Sequence, residues 1–180
     1  MNIVTTLLAL LLLASTALAT ETTPLPDPPS GIRIYPATSD ANMAPDFTLK
    51  NMDADTISLS NYRGRWVLLH FWASWCGPCR REMPEIQRLA MRFSQDKLVI
   101  LMVNTAEDED TVFSFMAEVG LDTGSLLDRD GRVTEAWKPR GLPTSFLIDP
   151  AGRVQFQVIG GREWSNPAYI NFLKQLTGEN

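Results

Sequence analysis

The chain has little of two side chains that often carry chemistry, with 2 cysteines and 1 histidine in 180 residues. A structural zinc site wants four ligands of these kinds, and the chain offers two cysteines and one histidine. Excess positive charge is also lacking: 16 Lys and Arg stand against 21 Asp and Glu, for a net charge of −5. Nucleic-acid binders carry a basic patch or stripe, so this balance argues against that class. Mild acidity acts mainly on solubility. No internal repeat is present. The apolar stretch from Ile3 to Ala19 contains Thr and Ser and is short against the ~20 residues a membrane span needs.

What is there begins with that stretch. The apolar run Leu7–Leu13 is followed by small residues, and Ala17-Leu18-Ala19 has the small-x-small form of a cleavage site. Residues 1–19 therefore read as a signal peptide cut after Ala19. No Lys or Arg precedes the run, so an uncleaved anchor is the alternative. Either way the remainder is exported and meets an oxidising compartment. Residues 20–40 carry Pro24, Pro26, Pro28, Pro29 and Pro36 with no apolar period, the pattern of a stiff, extended linker. Residues 41–180 form the domain.

Within that domain strand and helix signals alternate. Phe47–Lys50 and Thr56–Leu59 read as short strands joined by a polar turn, and Asn61–Gly64 as another turn. Trp66–Trp72 (WVLLHFW) is almost wholly apolar, as a central strand covered on both faces should be. A helix follows from Cys76, with Met83, Ile86, Leu89, Ala90 and Phe93 on one face and Pro84 expected to kink it. Leu98–Val103 is a second buried strand. Glu107–Asp110 suits a helix N-terminus, ahead of Val112, Phe113, Phe115, Met116 and Val119, and Gly120 its stop. Val133–Trp137 reads as a short helix, Thr144–Asp149 and Val154–Ile159 as a hairpin, and Asn166–Leu176 as a closing helix. The order implies one α/β domain with a mixed sheet. The methionines Met83, Met91, Met102 and Met116 fall in core-like periods, where Met fills gaps, and make no copper-binding box.

Both cysteines lie in HFWASWCGPCRREMPE, residues 70–85, which also holds the histidine. Cys76 falls at a helix N-terminus, where unpaired N–H groups and the helix dipole favour a thiolate. It is thus the attacking sulfur. Gly77 leaves access open, and Pro78 suits the first turn, where its missing N–H has no intrahelical partner. Cys79, one turn on, shares the face of Cys76. Residues three apart on a helix have Cβ atoms ~5–6 Å apart, a small adjustment from a disulfide's ~3.5–4.5 Å. Closing so short a loop constrains the unfolded chain little, so the pair works poorly as a staple and well as a redox switch. Cys76 captures a partner disulfide and Cys79 resolves it.

FWASWCGPC resembles the thioredoxin superfamily. Ala44-Pro45-Asp46-Phe47, Asn61–Gly64, Glu82 and Gly141-Leu142-Pro143-Thr144 narrow the resemblance to TlpA/ResA/CcmG-type exported thiol:disulfide oxidoreductases, over about residues 44–177. It implies a thioredoxin-like fold, a mixed central sheet flanked by helices, with an added N-terminal β-hairpin. Pro143 would be a cis proline beside the site, leaving the backbone of Leu142 free to pair with an extended substrate. Glu82 matches an acid that influences cysteine protonation in ResA-like members; a solvated helix glutamate is the alternative. Trp72 matches a tryptophan packed against the site, and Trp75 a docking surface. His70 departs from the family, which has Asp or Asn there. It is either a neutral core histidine or an acceptor for the Cys79 proton. Arg80 and Arg81 read as solvated, with Glu85 within reach of Arg81 at i+4.

The Gly-Pro pair is shared with thioredoxin, a reducing protein. The resemblance favours an extracytoplasmic or periplasmic reductase of protein disulfides, commonly those of apocytochrome c. It implies recharging by a membrane thiol donor of DsbD/CcdA type, with no cofactor, no metal, no nucleic acid and a monomeric state. Three other classes compete, one of them a non-catalytic partner-binding module, which would tolerate Cys76→Ser. A peroxiredoxin-like peroxidase would place a lone cysteine after a Thr-x-x pattern. A copper-delivery protein would use Cys76, Cys79 and His70 as a thin ligand set.

Overall fold

A computed structural model describes residues 24–30, 33–37, 43–120 and 124–179. The segment expected to be a signal peptide lies outside them. The strands are β1 (Ile34–Pro36), β2 (Thr48–Asn51), β3 (Thr56–Ser58), β4 (Trp66–Trp72), β5 (Leu98–Thr105), β6 (Leu126–Asp128), β7 (Thr144–Ile148) and β8 (Val154–Ile159). The helices are α1 (Gly77–Arg92), α2 (Glu109–Val119), α3 (Arg132–Trp137) and α4 (Pro167–Thr177). All the strands join one sheet in the order β1-β8-β7-β4-β5-β6-β2-β3.

β4 sits inside that sheet with every residue buried, parallel to β5 and antiparallel to β7. Its side chains alternate across the sheet. Leu68 and Trp72 enter a core with Met83, Ile86 and Leu89 of α1, Phe115 of α2 and Phe172 and Leu173 of α4. Val67, Leu69 and Phe71 enter the opposite core, with Trp137 of α3 and Phe146 of β7. The sheet is mixed and covered by helices, the architecture expected from the sequence. The expected hairpin is β2–β3, whose first strand docks on β6.

Several local differences have physical reasons. Ile34–Pro36, inside the stretch expected to be a linker, is a strand, with Ile34 opposite Val158 and buried. Pro36 is tolerated because β1 is an edge. Leu59 opens a 3₁₀ turn, Leu59–Tyr62, instead of ending a strand. β6 has three residues, too few to show a period. α1 continues through Pro84. Met91 is 72% exposed, because two residues past Leu89 a helix has turned about 200°. α2 is capped by the Asp108 side chain on the Thr111 N–H and ends at Gly120, whose φ of 63° suits glycine.

Candidate active site

Cys76 is the N-cap of α1, and its Sγ accepts the Cys79 N–H at 3.2 Å. Pro78 lies in the first turn. The two sulfurs are joined in a disulfide, with Cα atoms 5.2 Å apart. Cys79 is wholly buried and Cys76 nearly so, while Trp75 beside them is 71% exposed and Pro78 is exposed. Trp72 stands behind them in the same core; its indole N–H donates to Ser125 Oγ at 3.0 Å and its ring packs on Phe115.

The bend before Cys76 is held by a residue whose role the sequence did not disclose. The Glu107 carboxylate accepts the Ser74 N–H at 2.7 Å, the Ser74 hydroxyl, and the Asn104 Nδ2 group at 2.6 Å. The acidic run thus divides its labour: Asp108 caps α2, and Glu107 reaches back to the segment that presents the nucleophile.

Behind the disulfide lies a buried polar chain. His70 and Ser145 are cross-strand neighbours on β4 and β7, and His70 Nδ1 is 2.8 Å from Ser145 Oγ. His70 Nε2 is 3.2 Å from Glu82 Oε1. Glu82 Oε2 accepts the Arg162 N–H at 2.8 Å. Glu82 is buried, not solvated. Desolvation raises its pKa to about 7, against the opposing effects of the Arg162 N–H, Trp164 and the Arg162 charge. Burial lowers that of His70 to about 4. Both shifts disfavour charge, so a neutral pair is the better description than a buried ion pair, whose desolvation would exceed much of its attraction.

The Leu142–Pro143 peptide is cis. The Pro143 carbonyl accepts the Gly160 N–H at 2.8 Å, and Thr144 Oγ1 donates to the Gly141 carbonyl at 2.7 Å. Leu142 is partly exposed, and its peptide groups have no backbone partner among the described residues. A cleft of about 500 Å³ runs beside the disulfide helix, lined by Pro78, Arg81, Glu82, Glu85 and the 161–163 loop. Of the neighbouring charges, Glu85 engages Arg88 and the Ser165 N–H, not Arg81, and its pKa is held down by them. Arg80 pairs with Glu118 at 3.2 Å and lies over the Phe115 ring at 4.8 Å, so it is less free than expected.

A Cys-x-x-Cys disulfide closing the N-terminus of a helix that follows a buried central strand defines a thiol:disulfide oxidoreductase of thioredoxin-like fold. The chain belongs to the AhpC/TSA family, which matches residues 41–157. It is 36% identical over 137 residues to the thiol-disulfide oxidoreductase ResA of Bacillus subtilis, covering 76% of each chain. A structure from Chlorobium tepidum, described as a thiol:disulfide interchange protein of DsbE type, superposes with a TM-score of 0.70 at 31% identity, over 78% of this chain and 99% of that one. The exposed lipoprotein thioredoxin of Streptococcus pneumoniae superposes with a TM-score of 0.61 at 31% identity, over 73% and 100%.

Proposed function

We propose that the protein is an exported reductase of protein disulfides. Its Cys76 thiolate attacks a partner disulfide, forms a mixed disulfide and expels one partner thiolate. Cys79 gives up its proton, attacks the Cys76 sulfur and releases the second thiolate. The Cys76–Cys79 disulfide is left, and two electrons have passed to the partner. Glu82, buried one turn beyond Cys79, is the nearby base, with His70 behind it. Leu142 offers peptide groups to an extended substrate strand, and exposed Trp75 and Pro78 with half-buried Gly77 form the contact surface.

The observation that carries this reading is the disulfide at a helix N-terminus backed by a buried carboxyl group. A copper-delivery role finds less support, because both nitrogens of His70 already face protein partners. Relatives named thiol-disulfide oxidoreductase favour disulfide exchange over peroxide chemistry. Export rests on the apolar leader, residues 1–19, either cleaved or kept as an anchor, and on likeness to an exposed lipoprotein. In this reading residues 20–40 space a monomeric domain, residues 41–180, from the leader, and β1 ties the end of that spacer to the sheet. Apocytochrome c cysteines are the proposed substrate and a DsbD/CcdA-like membrane thiol protein the donor.

The test is Cys79→Ser expressed in the native host. Mixed disulfides on Cys76 with haem-protein precursors are expected. Capture of other thiol proteins alone would remove the cytochrome assignment, and no capture at all would remove the reductase reading.

A further inference from the structure

Among the buried side-chain atoms without a well-aligned hydrogen-bond partner, two face each other: His70 Nε2 and Glu82 Oε1, 3.2 Å apart. On the far side of the ring, Nδ1 already lies 2.8 Å from the Ser145 hydroxyl. His70, Glu82 and Ser145 are 1%, 4% and 2% exposed, so water does not complete their bonding from bulk. Glu82 Oε2 already holds the Arg162 N–H, so Glu82 Oε1 and the His70 ring must complete their bonding with each other and with Ser145, or bear the cost of a buried polar atom left alone.

We propose that Glu82, His70 and Ser145 act as one proton store, in which ionisation of Glu82 switches His70 between its two neutral tautomers. In the protonated state the Glu82 carboxyl donates to Nε2, and Nδ1–H donates to Ser145 Oγ. In the ionised state Nε2–H donates to the Glu82 carboxylate, and Nδ1 accepts from the Ser145 hydroxyl. The two states differ by one proton, and both satisfy the ring nitrogens. A serine is suited to this place because its hydroxyl both donates and accepts.

The consequence deepens the proposed exchange chemistry and rests on that reading. A buried carboxyl can take the Cys79 proton and later return one to a departing thiolate, because the imidazole reorients its bonding instead of leaving the new state unpaired. His70 and Ser145 are then positioning residues acting through Glu82. The other charged groups facing Glu82 come from the 161–163 loop, where the Arg162 N–H holds Oε2, and from α1, where Arg81 and Glu85 line the same cleft. In the oxidised protein the cysteines do not titrate, so they leave the signal undisturbed.

His70 is the only histidine in the chain, so one pair of imidazole nitrogen signals reports the switch. Nitrogen-15 NMR of the oxidised protein should show the proton on Nδ1 at about pH 5.5 and on Nε2 at about pH 8.5, the pKa of Glu82 lying between. Glu82→Gln should abolish the change and hold one tautomer throughout. A single tautomer at both pH values in the wild type, or an imidazolium signature at about pH 5.5, would overturn the proposal. Reduction of insulin with dithiothreitol as donor, measured in parallel, separates the two claims. A switching tautomer without turnover contradicts the reductase reading alone, and turnover with a fixed tautomer contradicts the proton store alone.

Discussion

Cys76 presents its sulfur at a helix end because three surrounding features agree. The strand before it is locked in the sheet, the bend between is tied to Glu107, and Pro78 starts the turn behind it. Glu107 ties the bend to β5, with two donors of Ser74 and one of Asn104 converging on its carboxylate, beside the Cys76 N–H that donates to the Ala73 carbonyl at 3.1 Å. Glu107→Ala leaves the Ser74 N–H and the Asn104 amide without their acceptor and should destabilise the fold by about 1–3 kcal/mol. Insulin reduction should slow at the same time, and Glu107→Gln should recover part of both losses. Equal activity in wild type and Glu107→Ala would show that the bend keeps its shape without the carboxylate.

At the scale of elements, β4 and α1 do most of the positioning, and both were legible. Six apolar residues around His70 in β4, and the stripe Met83, Ile86, Leu89 and Phe93 along α1 and its C-cap, are long enough to be read. β1 and β6 were not, since three residues show no period and each exists only because a longer neighbour supplies its partner. The site divides in the same way. Cys76 and Cys79 announce themselves through residue type and spacing, and Pro143 through the resemblance carried by Gly141-Leu142-Pro143-Thr144. Ser145 does not: it meets His70 only through the β4–β7 register, and Glu107 meets Ser74 across 33 positions of chain. β1 gives this scale its test. Ile34 is buried against β8, so Ile34→Ala should cost about 2–5 kcal/mol, read as a lowered denaturant midpoint. An unchanged midpoint would mean that β1 adds nothing to the domain.

For the whole molecule, the buried pair shapes how stability follows pH. Glu82 is raised from 4.5 to about 7, so between those values the folded chain holds more protons and stability falls as pH rises. His70 is lowered from 6.5 to about 4, so the unfolded chain holds more protons there and stability grows as pH rises. The slopes oppose each other over their shared window of pH 4.5 to 6.5 and hold it nearly level. Glu82→Gln removes one slope. Its stability should then climb by about 3 kcal/mol from pH 4 to 6.5 in denaturant titrations, while the wild type stays flatter. Parallel curves for the two proteins would contradict the opposed pair. Asp149, whose burial works against ionisation but whose hydrogen bonds from Arg153 and Gln155 hold it below its ordinary range, adds stability that is lost as acid protonates it, in both proteins alike.

The claim on which the molecule's chemistry depends is that the N-terminus of α1 favours a thiolate on Cys76. The helix dipole and the N–H groups at its end lower the pKa of a thiol placed there below that of free cysteine. The direct measurement is the rate of iodoacetamide alkylation of Cys76 against pH in the reduced protein. The account predicts a half-maximal rate at a pH below the ~8.5 of free cysteine; a midpoint at or above ~8.5 would contradict it.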